Sequence, residues 1–419
     1  MTPQIKQRIE QIRRGEVPDG YKKTKVGIVP DEWNEECLGK YLQEYKELSN
    51  DIENYPVYSS SRQGLVPQSQ YYDNREAVET NLGYKIVPNG YVTYRHMSDD
   101  DIFHFNLNDT GSEILVSSEY PVFTSTDDGA LDYIIPLLNG TARFRYFCRT
   151  QKTGGTRTRL YYKNLCTYKT AFAPFAEQQK IAKILSAQDK LIVLKEKLIE
   201  EKKRQKGVLM QQLLTGKKRM PGFSGEWTAS KIKDVTEISA GATPDTNNPE
   251  FWGGNIKWMN SGELNNKHIY DVVGRITETG LSKTSTKLLP QKCVLIGLAG
   301  QGKTRGTVAI NYIDLCTNQS IAAVHPCDVW IPEFLYYSLD MRYDELRIIS
   351  SGDGTRGGLN LKLIGDLIVK YPSYEEQEAI ANVLSTADKE IAFLQKDLDQ
   401  EKQKKKALMQ LLLTGIVRV

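Results

Sequence analysis

The spacing that most resembles a catalytic loop is Gly297-Leu298-Ala299-Gly300-Gln301-Gly302-Lys303-Thr304, which satisfies GxxxxGK[ST] and follows the apolar run Cys293–Ile296. In a phosphate-cradling loop of this kind, backbone N–H groups and the lysine hold the phosphates. A helix must begin at once, so that its first N–H groups face the ligand. The residues that follow are Arg305-Gly306-Thr307-Val308-Ala309-Ile310, a glycine and β-branched run that favours a strand. The segment therefore reads as a glycine-rich hairpin carrying Gln301, Lys303 and Arg305 outward.

Other catalytic spacings are weaker. Asn248-Pro249-Glu250-Phe251 lacks the second proline of the Asn-Pro-Pro-Phe/Tyr motif of adenine methyltransferases, and no glycine-rich cofactor loop precedes it. Four histidines and six cysteines form no HExxH or CxxC pattern, so a histidine- or thiolate-based metal site is not expected. No Ser/His/Asp or Cys/His set stands out. This pattern favours binding over catalysis.

The positive signal is electrostatic. From Tyr133 to Ala176 there is no acidic residue, while Arg143, Arg145, Arg149, Lys152, Arg157, Arg159, Lys163 and Lys169 all fall there. Phe144, Tyr146, Phe147, Tyr161 and Tyr162 interleave them. Guanidinium forks suit phosphate oxygens and the paired acceptors of guanine. Arg95 joins this set as a candidate DNA contact. In the second half, Lys303, Arg305, Arg356 and Lys362 surround glycine-rich turns that would let a ligand approach the backbone closely. Asn318-Gln319 could read adenine, but its strand-like flanks favour a buried hydrogen-bonding pair. The lysine clusters 202–206 and 402–406 lie among acidic residues and read as solvated helix faces.

The elements that must position these side chains follow from a repeat. Glu177–Gly216 and Glu376–Gly415 align without a gap at an offset of 199, with 19 of 40 positions identical. Upstream, Gly155-Thr156-Arg157 matches Gly354-Thr355-Arg356, and Pro30-Asp31-Glu32-Trp33 faintly echoes Ser224-Gly225-Glu226-Trp227. The chain is thus a tandem duplication, each unit a globular half followed by a long helix. Heptad series run through Ile181, Leu185, Ile192, Ile199, Leu209 and Leu213 in one helix. In the other they run through Ile380, Leu384, Ile391, Leu394, Leu398, Leu408 and Leu412. Each helix would span about 57 Å, end at Gly216 or Gly415, and pair with the other. Polar intrusions near Lys202 and Lys405 suggest a seam partly open or shared with another protein. The globular halves read as mixed α/β, with strands at Tyr84–Val87, Glu113–Ser117, Cys293–Ile296 and Thr307–Ile310. A short helix, Gln4–Arg14, precedes them.

Composition agrees. The chain has 419 residues, 55 basic against 52 acidic, net charge +3, 40% apolar and 26% charged, the profile of a folded protein of two or three domains. No apolar run approaches the roughly 20 residues of a membrane span. A polar N-terminus and unpaired cysteines point to a cytoplasmic protein with reduced thiols.

These features together resemble the specificity subunits of type I restriction–modification systems. The residues carrying the resemblance begin with Gly20-Tyr21-Lys22-Lys23-Thr24-Lys25 and Pro30-Asp31-Glu32-Trp33. They continue with Gly241-Ala242-Thr243-Pro244, Phe251-Trp252-Gly253-Gly254-Asn255-Ile256-Lys257-Trp258 and Thr317-Asn318-Gln319-Ser320, and close on the doubled Glu-Gln…Leu-Thr-Gly helix. The first half lacks the Gly-Ala-Thr-Pro and Thr-Asn-Gln-Ser elements and is a different subtype. The resemblance implies an α/β fold with two target recognition domains, 20–175 and 217–373. A helix at 1–19 would precede them, and long helices at 176–216 and 374–419 would pair antiparallel. It implies a non-catalytic chain that binds double-stranded DNA at a bipartite asymmetric site, with the helices setting the spacer. Two modification subunits and up to two restriction subunits would be its partners. S-adenosylmethionine, ATP and magnesium would belong to those partners, and no cofactor or metal to this chain. Two other readings stand beside it: a nucleotide hydrolase using Gly297–Thr304, and a coiled-coil adaptor that binds no DNA.

Overall fold

A computed structural model describes residues 2–68, 83–127, 129–152, 154–300, 304–350 and 358–419. The chain divides into two compact units, one made of Met1–Glu196 with Asp397–Val419, the other of Lys197–Lys396.

The first unit opens with a helix, Pro3–Arg13, capped by the Thr2 hydroxyl. A four-stranded antiparallel sheet follows, in the order Asn106–Leu107, Val92–Thr93, Val122–Ser125, Leu42–Tyr45. A three-stranded sheet joins Ile114–Ser117, Tyr84–Val87 and Leu48–Ser49. The core is aromatic: Trp33, Tyr94, Phe105, Phe123, Tyr133, Phe144 and Phe172 are all buried. Ile181 and Leu185 from the first long helix, and Leu412 and Leu413 from the end of the second, join that core.

The second unit holds a five-stranded sheet in the order Ile238–Ala240, Ile321–Val324, Val294–Gly297, Val308–Asn311, His268–Ile269. Its last pair is parallel and the rest antiparallel. Every residue of the three central strands is buried, which is why their sequences are continuous apolar runs rather than alternating ones. The expected strands are present, three of them beginning one residue later than read.

The two long helices, Phe175–Leu213 and Tyr374–Leu412, have 39 residues each. They run antiparallel within each unit. In the first, Asp189 pairs with Lys405 and Lys195 with Asp397; in the second, Lys202 pairs with Glu390 and Lys206 with Asp388. Of the heptad positions, Ile181, Leu185, Ile192, Ile199, Leu213, Ile380, Leu384, Leu398 and Leu412 are buried, and Leu209, Ile391, Leu394 and Leu408 half-buried. Most of the two clusters, residues 203–205, 402–404 and 406, is exposed as expected, but the seam is not open at Lys202, Lys206, Lys402 and Lys405. Each lysine reaches a carboxylate of the opposite helix instead. The reason is geometric: antiparallel pairing sets the lysine-rich part of one helix against the acidic part of the other.

The doubled Glu-Gln pair has a structural role in each unit. Gln178 donates to the Ala173 carbonyl and accepts from the Ala130 N–H, 2.9 and 3.2 Å. Gln377 likewise donates to the Pro372 and Val329 carbonyls and accepts from the Ile331 N–H. Each glutamine thereby ties the start of its helix to the globular part. The glutamates receive arginines. Arg418 donates to Glu177 at 2.6 Å and also to Glu32, and Arg219 grips Glu376 with two bonds of 2.8 and 2.6 Å. The offset between Arg219 and Arg418 is again 199. The match is incomplete at the tryptophans: the Trp33 indole donates to Glu177 at 3.0 Å, whereas the buried Trp227 indole N–H has no partner among the described residues.

Candidate nucleic-acid interface

The acid-free stretch does not form one surface. Helix Ala142–Thr150 buries Phe144 and Cys148 against the core and turns Arg143, Arg145 and Arg149 outward. The Arg143 guanidinium donates to the Val26 carbonyl and borders a small recess containing Trp33 and Leu413. Its interleaved aromatics are mostly core: Phe144 is buried and Phe147 half-buried, while Tyr146 is 70% exposed. Lys163 projects from the short helix Tyr162–Cys166.

Arg157 and Arg159 belong to a different neighbourhood. Strand Thr158–Arg159 pairs with Met97–Ser98, setting Arg159 opposite Met97. Arg157 donates to Asp99 at 2.8 Å. Arg95, exposed, lines a cleft of about 630 Å³ together with the hairpin residues 59–63, Ser98 and Asp99. His96 lies buried beneath, stacked on Tyr161; burial holds its pKa down, opposed by Glu119 and aided by nearby Arg159 and Arg95. Sequence reasoning missed two residues of this neighbourhood, Arg62 and Gln63. The only signal for them was a glycine at 64 after a polar run.

In the second unit the GxxxxGK[ST] segment does not enter a helix. Strand Val294–Gly297 pairs antiparallel with Val308–Asn311, and Gly297 exchanges backbone hydrogen bonds with Thr307 and Gly306. This is the hairpin the β-branched residues favoured, and it lacks the helix N-terminus that a phosphate loop requires. Gln301, Lys303 and Arg356 lie outside the described residues. Arg305 is half-buried and Lys362 exposed. Leu298 donates its N–H to Ser320 and accepts from Leu359, so the hairpin end, the 318–320 turn and the segment before Lys362 converge. The expected buried Asn318-Gln319 pair is not found. Asn318 caps its own turn by accepting from Ser320 N–H, and Gln319 is exposed, its side-chain Oε1 accepting from the Thr243 hydroxyl. The turn places Gln319 beyond the end of the strand, where burial cannot reach it. The Gly-Ala-Thr-Pro segment packs tightly here: a Cβ on Gly241 would lie 2.1 Å from the Thr317 carbonyl.

Among the described residues, no group of three His, Cys, Asp or Glu could hold a metal ion, and no helix is long and apolar enough to cross a membrane.

Residues 224–402 match the family model described as the type I restriction modification DNA specificity domain. The MjaIX specificity subunit of Methanocaldococcus jannaschii is 33% identical over 190 residues, 44% of this chain and 41% of that relative, so this match spans less than half of either. The MjaVIII specificity subunit of the same organism is 22% identical over 428 residues, covering 93% of this chain and 94% of the relative. Among solved structures, the type I restriction–modification S subunit from M. genitalium superimposes with a TM-score of 0.58 at 14% identity, over 91% of this chain and 96% of that one. That likeness concerns the mixed α/β fold. Residues 224–402 thus carry a type I restriction modification DNA specificity domain, and the chain as a whole is similar to the specificity subunits of type I restriction–modification systems.

Proposed function

We propose that this chain is the non-catalytic DNA-reading subunit of a type I restriction–modification complex, each of its two recognition domains taking one half of a bipartite asymmetric site. The paired helices would set the unread spacer and present a surface to two modification subunits, with up to two restriction subunits joining them. S-adenosylmethionine, ATP and magnesium would then be the partners' cofactors. The observation that carries the reading is the repeated helix-and-clasp unit at a constant offset of 199, in which Arg219–Glu376 repeats Arg418–Glu177. It gives one chain two equivalent faces for two copies of one partner. Dissimilar globular halves on those equivalent helices favour two different half-sites over a palindrome. The hairpin at Gly297–Thr307 speaks against nucleotide hydrolysis.

Selection from a random duplex pool tests this reading. Pools passed over the chain together with its methyltransferase partner should converge on two short sequences separated by a fixed gap. No consensus, or the same consensus with the methyltransferase alone, would count against it.

A further inference from the structure

We propose that the hairpin turn Arg62-Gln63 reads base edges in one half-site, flanked by Arg95 and Arg159 as phosphate contacts. The proposal rests on the DNA-binding reading above and deepens it. It moves the reading element out of the arginine-rich sequence run and onto a two-stranded ribbon.

The ribbon consists of Tyr58–Ser61 and Gly64–Pro67, paired in register from Tyr58↔Pro67 to Ser61↔Gly64. Its turn is fixed by short-range bonds. The Ser61 hydroxyl donates to the Gly64 carbonyl at 2.9 Å and accepts from the Gln63 N–H at 3.1 Å. Gly64 has φ +118, a conformation that side-chain-bearing residues rarely adopt. From behind, Asn106 donates to the Ser60 hydroxyl and the Ser61 carbonyl, both at 2.8 Å, fastening the ribbon to the four-stranded sheet. The turn is thus held rigidly, although both of its side chains point to solvent.

Those side chains have the chemistry of readers. Gln63 has no side-chain hydrogen-bond partner among the described residues, which leaves its amide a donor and an acceptor on one rigid mount. Arg62 is oriented by Asp100, itself fixed by the Ser98 hydroxyl at 2.9 Å. Arg157 is oriented in the same way by Asp99. Asp99 in the cleft and Asp100 beside it are therefore each engaged by a guanidinium, while the cleft's other carboxylate, Glu119, is largely exposed and lies 3.6 Å from His96. Arg95 and Arg159 differ: both are exposed, and neither forms a salt bridge among the described residues. A two-stranded ribbon fits the major groove, where Gln pairs with adenine and Arg with guanine, while unpaired arginines suit phosphates. A contact to phosphate alone is the competing outcome.

The test uses the full chain co-expressed with its methyltransferase partner, with methylated adenines mapped genome-wide. Gln63→Ala and Arg62→Ala are expected to relax one or two positions of one half-site, by about tenfold or more in discrimination, and to leave the other half-site unchanged. Arg95→Ala and Arg159→Ala should keep the motif and flatten the salt dependence of binding by about one unit each. Should either alanine variant lose methylation altogether, Gln63→Lys, which leaves Ser61 and Gly64 in place, decides: an altered base at one position supports the proposal and an unaltered motif overturns it. An unchanged motif in both alanine variants overturns it directly. If the unsubstituted chain imposes no motif at all, the DNA-binding reading itself fails; a motif with the unsubstituted chain and unaffected turn variants sinks only the assignment of the turn.

Discussion

Replacing Asp388 by Ala should lower the stability of the second unit by about 2 kcal/mol, the cost of leaving the half-buried Lys206 charge without its partner. Asp388 accepts from Lys206 at 2.5 Å and from the Tyr337 hydroxyl at 2.7 Å, and His268 approaches to 3.5 Å. Its carboxylate joins the helix pair to the globular part of this unit, since His268 and Tyr337 belong to the latter. Burial alone would raise its pKa, but the bonds from His268, Lys206 and Tyr337 outweigh that and hold it at about 2. The folded pKa lies below the ordinary carboxylate value, so this contribution is present above about pH 4 and disappears as pH falls toward 2. It amounts to roughly 2 kcal/mol. Urea unfolding followed by tryptophan fluorescence reads the effect. Four of the five tryptophans, Trp227, Trp252, Trp258 and Trp330, lie in this unit. The double variant Asp388→Ala with Lys206→Met should recover much of the loss, because no orphan ammonium then remains. A midpoint unchanged by Asp388→Ala would show that the cluster contributes nothing.

Arg418→Ala should cost the first unit about 2 kcal/mol, less than a fully buried pair would because Arg418 keeps a third of its side chain in water. Glu177 is almost wholly buried and would retain only the Trp33 indole as a side-chain donor. Arg418→Lys should lose part of this stability while keeping the charge, since a lysine cannot present a fork to Glu177 and Glu32 together. Hydrogen exchange at residues 30–33 and 415–418 provides the readout. Tyr21 and Arg8 also bind carbonyls of Gly415 and Ile416, so loosening the tail should raise exchange there before global unfolding. Exchange as slow in Arg418→Ala as in the unsubstituted chain would contradict the clasp.

What the sequence made legible was what repeats or runs. The helices, their pairing with each other and the buried strands followed from periodicity and continuous apolar runs, the antiparallel sense from the family resemblance, and the failure of the phosphate-loop spacing from the β-branched residues after Thr304. The clasp was harder to see. Arg219 and Arg418 share the 199-residue offset but fall beyond the glycines that close the aligned helices, and nothing local marks an arginine as the partner of a glutamate more than 150 residues away. The acid-free run misled in one respect. Contiguity in sequence does not make one basic surface: the fold sends Arg143 toward Val26 and Arg157 toward Asp99. Arg62 and Gln63 gave no compositional signal, because their role depends on a hairpin held by Ser61 and Asn106. Gln319 lies outside its expected buried place because the strand ends at Thr317 and a turn follows.

Mapping methylated adenines at single-molecule resolution, in cells expressing the methyltransferase partner with and without this chain, tests the DNA-reading role most directly. A gapped asymmetric motif that appears only when the chain is present is the predicted result. Identical methylation in both cells, with the two proteins shown to co-purify, would contradict it.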